Sequence, residues 1–338
     1  MAVFAPIPRA SEATATKVKT GLRRNERKAN RMSASRFDAM PVYTGEHAKG
    51  YEMNRRDILK AAPILMAGRV DAQTEFTGRL RPGIVAYSYR ESLAAKKMTY
   101  ENVIRTAADL GFEGLDTTVY WVPDTSAAYL ANLRRTAYKN GISLYSIVTR
   151  VRLAQATPES RTAEVVTAKG WVDVAERLGA AHVRVFGGSV PKGVTEDQAV
   201  GWAAETLKAA AEYSGSKGIL PGIEDDGGLT TNAGPTIEIV KRADSGWVGM
   251  NVDTGNFPKD GYAQTAMSIP YAVSTHIKAE IAAADGTKGK TDFGRLFGMF
   301  AKGGYRGFVS LEYEEANAEA AIPGLAREII GAARKYSG

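Results

Sequence analysis

Short apolar runs alternate with longer amphipathic runs along the chain from about residue 80 onward. The short runs are rich in β-branched and aromatic residues and predict strands at 83–89, 113–117, 143–148, 182–186, 219–224, 248–253, 273–278 and 308–312. The longer runs have helical periodicity and predict helices that include 100–110, 125–140, 160–178, 196–216 and 325–336. Several of these helical runs end in glycine, the residue that favours a helix C-cap, at Gly111, Gly141 and Gly179.

Eight strand–helix units fit the ~250-residue size of a (β/α)8 TIM barrel, an α/β fold. A doubly wound sheet is the main alternative, and it favours a glycine-rich phosphate loop after the first strand. The residues that follow Tyr89 are Arg90-Glu91-Ser92-Leu93, which contain no glycine. We therefore predict a TIM barrel over residues 73–338.

The chain before the barrel has a different character. Residues 1–52 are rich in Ala, Ser, Arg and Lys without a sustained apolar period, which predicts disorder over 1–72. Within it, Met53 opens a segment with Arg55-Arg56, a short apolar stretch and small residues near Ala72, and this segment resembles a twin-arginine export signal over 53–72. Export would place the protein in the periplasm. A cytoplasmic N-terminal helix is the alternative, as is an upstream translation artefact for residues 1–52.

Charge and composition exclude several partners. The formal net charge is +7, but residues 1–72 hold 14 Lys/Arg and 7 Asp/Glu and so account for all of it. The predicted barrel is neutral, which argues against a nucleic-acid partner. No run reaches the ~18 apolar residues of a membrane span, so stable membrane insertion is not expected. The chain has no cysteine, which excludes disulfides and thiolate metal sites. A homo-oligomer is compatible with the sequence.

Side chains that can ligate a metal ion, here called metal-type side chains, lie at the ends of four consecutive predicted strands: Glu224, Asp253, His276 and Glu312. Strand periodicity places all four on the inward face, at the C-terminal rim where barrel active sites form. Three close carboxylates repel one another unless a cation balances them. The set suits Mn²⁺ best, with Mg²⁺, Co²⁺ or Zn²⁺ as alternatives. The alternative without a metal is a carboxylate–lysine network centred on Lys278.

The barrel resembles the sugar phosphate isomerase/epimerase family of the xylose-isomerase-like TIM barrel superfamily. The segments that carry the resemblance are 111–116 (GFEGLD), 183–188 (VRVFGG), 222–228 (GIEDDGG), 252–257 (VDTGNF), 270–278 (PYAVSTHIK) and 304–314 (GYRGFVSLEYE). The resemblance implies one divalent metal held by Glu224, Asp253, His276 and Glu312. It also implies, from the ketose epimerases, that Glu224 and Glu312 act as a proton-transfer pair.

These features predict a metal-dependent isomerase or epimerase that abstracts a proton next to the carbonyl of a sugar or keto-sugar, through a metal-stabilised enediolate. Lys278, two residues after His276 and on the same face, is expected to neutralise the developing oxyanion; a salt bridge to Glu280 or Glu314 is the alternative. The same deprotonation suits a lyase or dehydratase on an oxidised glycoside or inosose. A non-catalytic periplasmic sugar-binding barrel is a third hypothesis, which the paired glutamates disfavour.

Four residues are predicted to bind the carbohydrate: Asp116, Asn256, Tyr87 and Trp121. Two features depart from the family pattern. Asp225-Asp226 stands where family members often have Asn-His, and Asn256 stands where some epimerases place a histidine. The two acidic residues favour a neutral substrate over a sugar phosphate. We expect Arg184 to be a buried partner of a barrel carboxylate, and His182 to be structural.

Overall fold

The structure, a computed structural model, describes residues 79–336. Eight parallel strands form a closed barrel in the order β1-β10-β7-β6-β5-β4-β3-β2. They are β1 (Leu80–Val85), β2 (Gly114–Thr118), β3 (Ser143–Arg152), β4 (His182–Phe186), β5 (Leu220–Glu224), β6 (Gly249–Asp253), β7 (Ala272–Ile277) and β10 (Gly307–Leu311). The predicted TIM barrel is confirmed.

Helices cover the outside of the barrel between the strands. They are α1 (Arg90–Ala94), α2 (Tyr100–Asp109), α3 (Ala127–Lys139), α4 (Pro158–Leu178), α5 (Glu196–Gly215), α6 (Ala233–Ala243), α7 (Gly261–Ser268), α8 (Phe293–Lys302) and α9 (Ala318–Tyr336). The glycine C-cap expected after Leu178 is present, because Gly179 ends α4 with φ of 78° in the left-handed region. No helix within residues 79–336 is long and apolar enough to cross a membrane.

The strand and helix boundaries differ from the prediction at both ends of the barrel. The first strand ends at Val85, and Ala86–Tyr89 form a 3-10 turn. In this turn the Ser88 hydroxyl donates to the carbonyl of Leu311 and accepts from the amide of Tyr313. These side-chain hydrogen bonds take the place of the backbone hydrogen bonds that a longer first strand would make. The last helix begins at residue 318 rather than 325, and Pro323 lies inside it.

A small antiparallel hairpin, which the sequence did not predict, follows β7. Its strands are β8 (Glu280–Ala282) and β9 (Lys288–Lys290). Three-residue strands are too short to show an alternating pattern, which is the physical reason that the prediction missed them. The predicted export signal at 53–72 and the predicted barrel boundary at residue 73 lie outside the described residues.

Alternate residues along each strand point to different sides of the barrel wall, either to the core between strands and helices or to the inside of the barrel. In β6, Met250 and Val252 belong to the apolar core between strands and helices, and neither is exposed. Asn251 and Asp253 alternate with them, and their side chains contact groups that lie inside the barrel. The strand pattern therefore delivers polar side chains to the barrel interior and places them in register at its C-terminal end.

Candidate metal centre

Four side chains converge at the C-terminal mouth of the barrel, as the sequence predicted. They are Glu224 at the end of β5, Asp253 at the end of β6, His276 in β7 and Glu312 directly after β10. The sheet register places Asp253 beside His276 on neighbouring strands. Each residue offers one nitrogen or oxygen ligand atom, and these atoms lie within 4.8 Å of one another. All four residues are buried.

His276 is held by a carboxylate on the far side of its ring. Its Nε2 lies 3.0 Å from Oδ2 of Asp116, and neither side chain is exposed. Its Nδ1 lies 2.9 Å from Oε1 of Glu224, yet it has no hydrogen bond of acceptable geometry. A metal-binding histidine usually donates its other ring N–H to a carboxylate. The ring therefore has the orientation of a metal ligand, with Nδ1 directed at the other three side chains.

Asp253 presents a second atom without a hydrogen bond to the same space. Its Oδ1 accepts from the amide of Gly255 at 2.9 Å, whereas its buried Oδ2 has no hydrogen bond. Burial raises the pKa of Asp253 to about 8, and the attraction of Lys278 offsets burial only in part. Buried oxygen and nitrogen atoms that lack hydrogen bonds and lie at this spacing fit a hard divalent cation.

Glu224 is the most constrained carboxylate of the set. Asn251 donates from Nδ2 to Glu224 Oε1 at 2.8 Å, and Nη1 of Arg184 lies 3.0 Å from Oε2. Burial raises the pKa of Glu224, but the charges of Arg184 and His276 outweigh burial and lower it to about 2. Glu224 is therefore an anion at neutral pH. The expectation that Arg184 pairs with a barrel carboxylate is confirmed.

Lys278 joins the ligand set to the pocket rim. Its Nζ donates to Asn256 Oδ1 at 2.9 Å and lies 2.7 Å from a carboxylate oxygen of Glu314. It also lies 3.4 Å from Asp253 Oδ2 and 3.5 Å from Glu312 Oε2. The salt bridge to Glu314 and the lysine-centred network, both considered from the sequence, are thus present, and this network shares two carboxylates with the cation site.

A cavity of about 130 Å³ lies over the metal-type side chains. Ten residues line it: Tyr87, Tyr120, Arg184, Phe186, Glu224, Asp226, Asn256, Lys278, Glu312 and Glu314. Tyr87 and Asn256 line it, in keeping with their predicted carbohydrate contacts, which stay predictions.

Two other predicted carbohydrate-binding residues lie elsewhere. Asp116 does not line the cavity and instead contacts His276. Trp121 packs against Tyr87 with the ring centroids 5.8 Å apart, and so supports the wall without lining it. Of the acidic pair after Glu224, only Asp226 lines the cavity, because the Asp225 carboxylate is buried and accepts from the amide of Asp253 at 2.9 Å.

Sequence reasoning assigned no site role to Asn251, which bonds Glu224, or to Phe186, which lines the cavity. Inward strand parity was the available signal for Asn251, because it lies two residues before the inward-facing Asp253. The contacts themselves join distant strands and could not be inferred from spacing.

Residues 104–336 match the family model described as xylose isomerase-like TIM barrel. The chain belongs to this family. Among solved structures, D-psicose 3-epimerase from Clostridium cellulolyticum H10, determined with D-tagatose, is 16% identical with a TM-score of 0.61, and the match covers 76% of this chain and 99% of that one. No curated protein matches the chain.

Two further structures show the chemical range of the fold. The probable 3-DHS dehydratase AsbF from Bacillus anthracis is 14% identical with a TM-score of 0.57, covering 74% of this chain and 98% of that one. A xylose isomerase-like TIM barrel protein from Mycobacterium smegmatis, in complex with magnesium, is 18% identical with a TM-score of 0.60, covering 76% and 98%. At these identities the likeness is one of fold.

Proposed function

We propose that the protein is a divalent-metal-dependent isomerase or epimerase that moves a proton on the carbon next to a sugar carbonyl. One observation carries the proposal: the ligand atoms of Glu224, Asp253, His276 and Glu312 lie within 4.8 Å of one another, buried at the mouth of the barrel. Three carboxylates and one imidazole favour Mn²⁺ in this proposal, with Mg²⁺ as the nearest alternative.

The residues around the cavity have different roles in the proposed reaction. When bound, a divalent cation supplies a Lewis acid that polarises a carbonyl oxygen. Glu312 lines the cavity and is the group we assign to take the proton from carbon. Lys278 lies 3.5 Å from Glu312 Oε2 and can donate to the oxygen on which negative charge develops. Glu224, on the opposite side of the ligand set, is the proposed partner for proton return on the other face.

The charges around the cavity favour an uncharged carbohydrate. Glu312, Glu314 and Asp226 line it together with Glu224, against two cations, Arg184 and Lys278. Lys278 is already bonded to Glu314 and Asn256, and Arg184 is paired with Glu224. A phosphate or carboxylate on the substrate would meet more anions than unpaired cations. We therefore assign the site to a neutral sugar or keto-sugar rather than to a sugar phosphate.

A lyase acting on an oxidised glycoside or inosose is the second candidate. It is favoured by the position of Lys278, whose ammonium lies beside the proposed base Glu312. In that arrangement Glu312 removes the proton next to the keto group and Lys278 donates a proton to the departing oxygen. The bond between carbon and the departing oxygen breaks as the carbon–carbon double bond forms.

Proton exchange with solvent tests the proposal directly. Protein loaded with Mn²⁺ is incubated in D₂O with a panel of neutral ketoses and oxidised glycosides, and the products are followed by NMR. An isomerase or epimerase is expected to give a new sugar with deuterium on the carbon beside the carbonyl, whereas a lyase is expected to give an unsaturated keto-sugar and a released alcohol or water. Binding with neither exchange nor elimination across the panel would instead favour a non-catalytic sugar-binding barrel.

Two variants test the assignment of the bases. Glu312→Gln and Glu224→Gln each keep an oxygen near the cation but remove the base, so exchange should slow roughly 10²–10⁴-fold. A matched control is Glu314→Gln, which changes a carboxylate at the rim of the same cavity and should cost much less. Exchange at the wild-type rate in both base variants would contradict the assignment.

A further inference from the structure

Arg184 combines deep burial with contacts to three different groups. Its side chain is 4% exposed, and so is that of Glu224, with Nη1 3.0 Å from Glu224 Oε2. Its Nη2 donates to the hydroxyl of Tyr120 at 3.3 Å. Its guanidinium also lies over the ring of Phe186, 3.8 Å from the centroid. Tyr120 and Phe186 therefore hold the guanidinium in place beside the Glu224 carboxylate.

The two oxygens of Glu224 have different surroundings. Oε1 lies 2.9 Å from His276 Nδ1 and accepts from Asn251 at 2.8 Å, so it belongs to the converging ligand atoms. Oε2 is directed at Arg184. For Glu224 to present both oxygens to one ion, Oε2 would have to leave the guanidinium. A buried charge that loses its partner is strongly unfavourable.

We propose that Arg184 is a positioning residue that restricts Glu224 to one ligand oxygen and weakens cation binding, thereby leaving coordination room for substrate. The inference rests on the proposed metal-dependent function. A carboxylate that gives one oxygen occupies one coordination position, whereas a bidentate carboxylate occupies two. The fixed positive charge of Arg184 also repels a cation held by its own ion-pair partner, and this repulsion is strong where water is excluded.

The positioning role and a purely structural role predict opposite changes in metal affinity when Arg184 is replaced. If Arg184 only supported the fold, its replacement would loosen the ligand set and weaken metal binding. If it restrains Glu224, replacement by a neutral side chain of similar length should free Oε2 and remove the repulsion. Arg184→Met is therefore expected to bind Mn²⁺ roughly tenfold or more tightly than the wild type.

Titration calorimetry with Mn²⁺ on the full-length, metal-stripped protein measures this affinity. Relaxation of water protons by the bound Mn²⁺ gives a second readout, because a second carboxylate oxygen should displace a water and reduce the relaxation enhancement. Arg184→Lys keeps the charge and should bind Mn²⁺ with near-wild-type affinity. Arg150→Met is the matched control, because Arg150 stacks on Tyr120 at 4.0 Å from the ring centroid but is not paired with Glu224.

Each outcome decides one question. Tighter binding with fewer relaxing waters in Arg184→Met supports the inference, and unchanged or weaker binding overturns it. If Arg184→Met does not fold, Tyr120→Phe removes the hydroxyl that anchors Nη2, and it should tighten Mn²⁺ binding by a smaller factor; no tightening would overturn the inference. Wild-type protein that binds no Mn²⁺, Mg²⁺, Co²⁺ or Zn²⁺ would overturn the proposed function itself.

Discussion

At the scale of single residues, the orientation of one imidazole determines whether the site can hold a metal. His276 directs Nε2 at Asp116 and Nδ1 at the ligand set. A carboxylate behind a ligand imidazole fixes the ring and raises its basicity, and loss of such a partner typically costs about 10–100-fold in metal affinity. The ring satisfies Oδ2 of the fully buried Asp116, whereas its Oδ1 has no hydrogen bond.

The first prediction concerns this pair. Asp116→Asn keeps the size of the side chain but removes its charge, so Mn²⁺ affinity should fall about 10–100-fold in calorimetry. Asp173→Asn is the control, because Asp173 is in a surface salt bridge with Lys217, 2.8 Å away, and its loss should leave Mn²⁺ binding unchanged. Equal Mn²⁺ affinity in wild type and Asp116→Asn would show that the pair does not tune the site.

The candidate site was partly predictable at this scale. Strand parity and position at the strand end bring Glu224, Asp253, His276 and Glu312 together, and both can be read from sequence. The contact of Asp116 with His276 joins residues 160 positions apart across the barrel. The partners of Glu224 are likewise set by which strands face each other. Cross-barrel contacts depend on closure of the sheet, which no local pattern encodes.

At the scale of elements, the neighbouring strands β4 and β5 fit together below the metal-type residues. His182, expected to be structural, lies at the start of β4 with its Nδ1 2.7 Å from the Ser146 hydroxyl. A Cβ at Gly222 of β5 would come within 2.3 Å of the other ring nitrogen. Glycine is therefore needed at this position for space, because the imidazole occupies the room that a side chain would fill.

The second prediction follows from this buried histidine. Burial lowers the pKa of His182 from 6.5 to about 4. Between these values the unfolded chain binds a proton that the folded chain does not, so the free energy of unfolding falls as the pH falls through this window. The loss attributable to His182 should be about 2 kcal/mol between pH 7.5 and pH 5. Above about pH 8 the imidazole is neutral in both states and contributes almost no pH dependence.

Urea unfolding at both pH values checks this. His182→Gln removes the titrating group, so its free energy of unfolding should fall less between pH 7.5 and pH 5, by the same ~2 kcal/mol. His47→Gln alters a histidine outside the described residues, in the predicted disordered extension, and should keep the wild-type pH dependence. The assignment fails if wild type and His182→Gln lose equal stability on acidification.

The boundaries of strands and helices are where the sequence-based prediction and the structure differ most. Strand β4 at His182–Phe186 coincides with the prediction, because turn residues bound its apolar run, whereas β3 extends to Arg152, four residues past its predicted end at 148. The first strand was placed three residues too late, because residues 86–89 are as apolar as a strand but bond through Ser88 to the end of β10. The predicted start of the last helix, residue 325, is seven residues too late, because α9 incorporates Pro323 with the neighbouring Ile322 buried.

At the scale of the whole molecule, two parts of the chain differ in charge. The first 72 residues carry the entire net charge of +7, and the remainder is neutral. A neutral barrel with a buried acidic centre suits a small polar substrate. The basic first 72 residues include the pair Arg55-Arg56 ahead of a short apolar stretch at 61–68. We propose that residues 53–72 direct export to the periplasm by the twin-arginine route.

The last prediction tests this proposal with two arginine pairs in the same extension. Arg55 and Arg56 precede the apolar stretch at 61–68, whereas Arg23 and Arg24 are followed by charged residues. A twin-arginine signal needs its pair directly before an apolar segment. Arg55→Lys with Arg56→Lys preserves charge but should leave uncleaved protein in the cytoplasm. Arg23→Lys with Arg24→Lys should leave export unchanged, with a mature chain that begins near Gln73. Fractionation of the native host and N-terminal sequencing distinguish these results. Uncleaved wild-type protein found solely in the cytoplasm would contradict export, because an export signal at residues 53–72 should be removed.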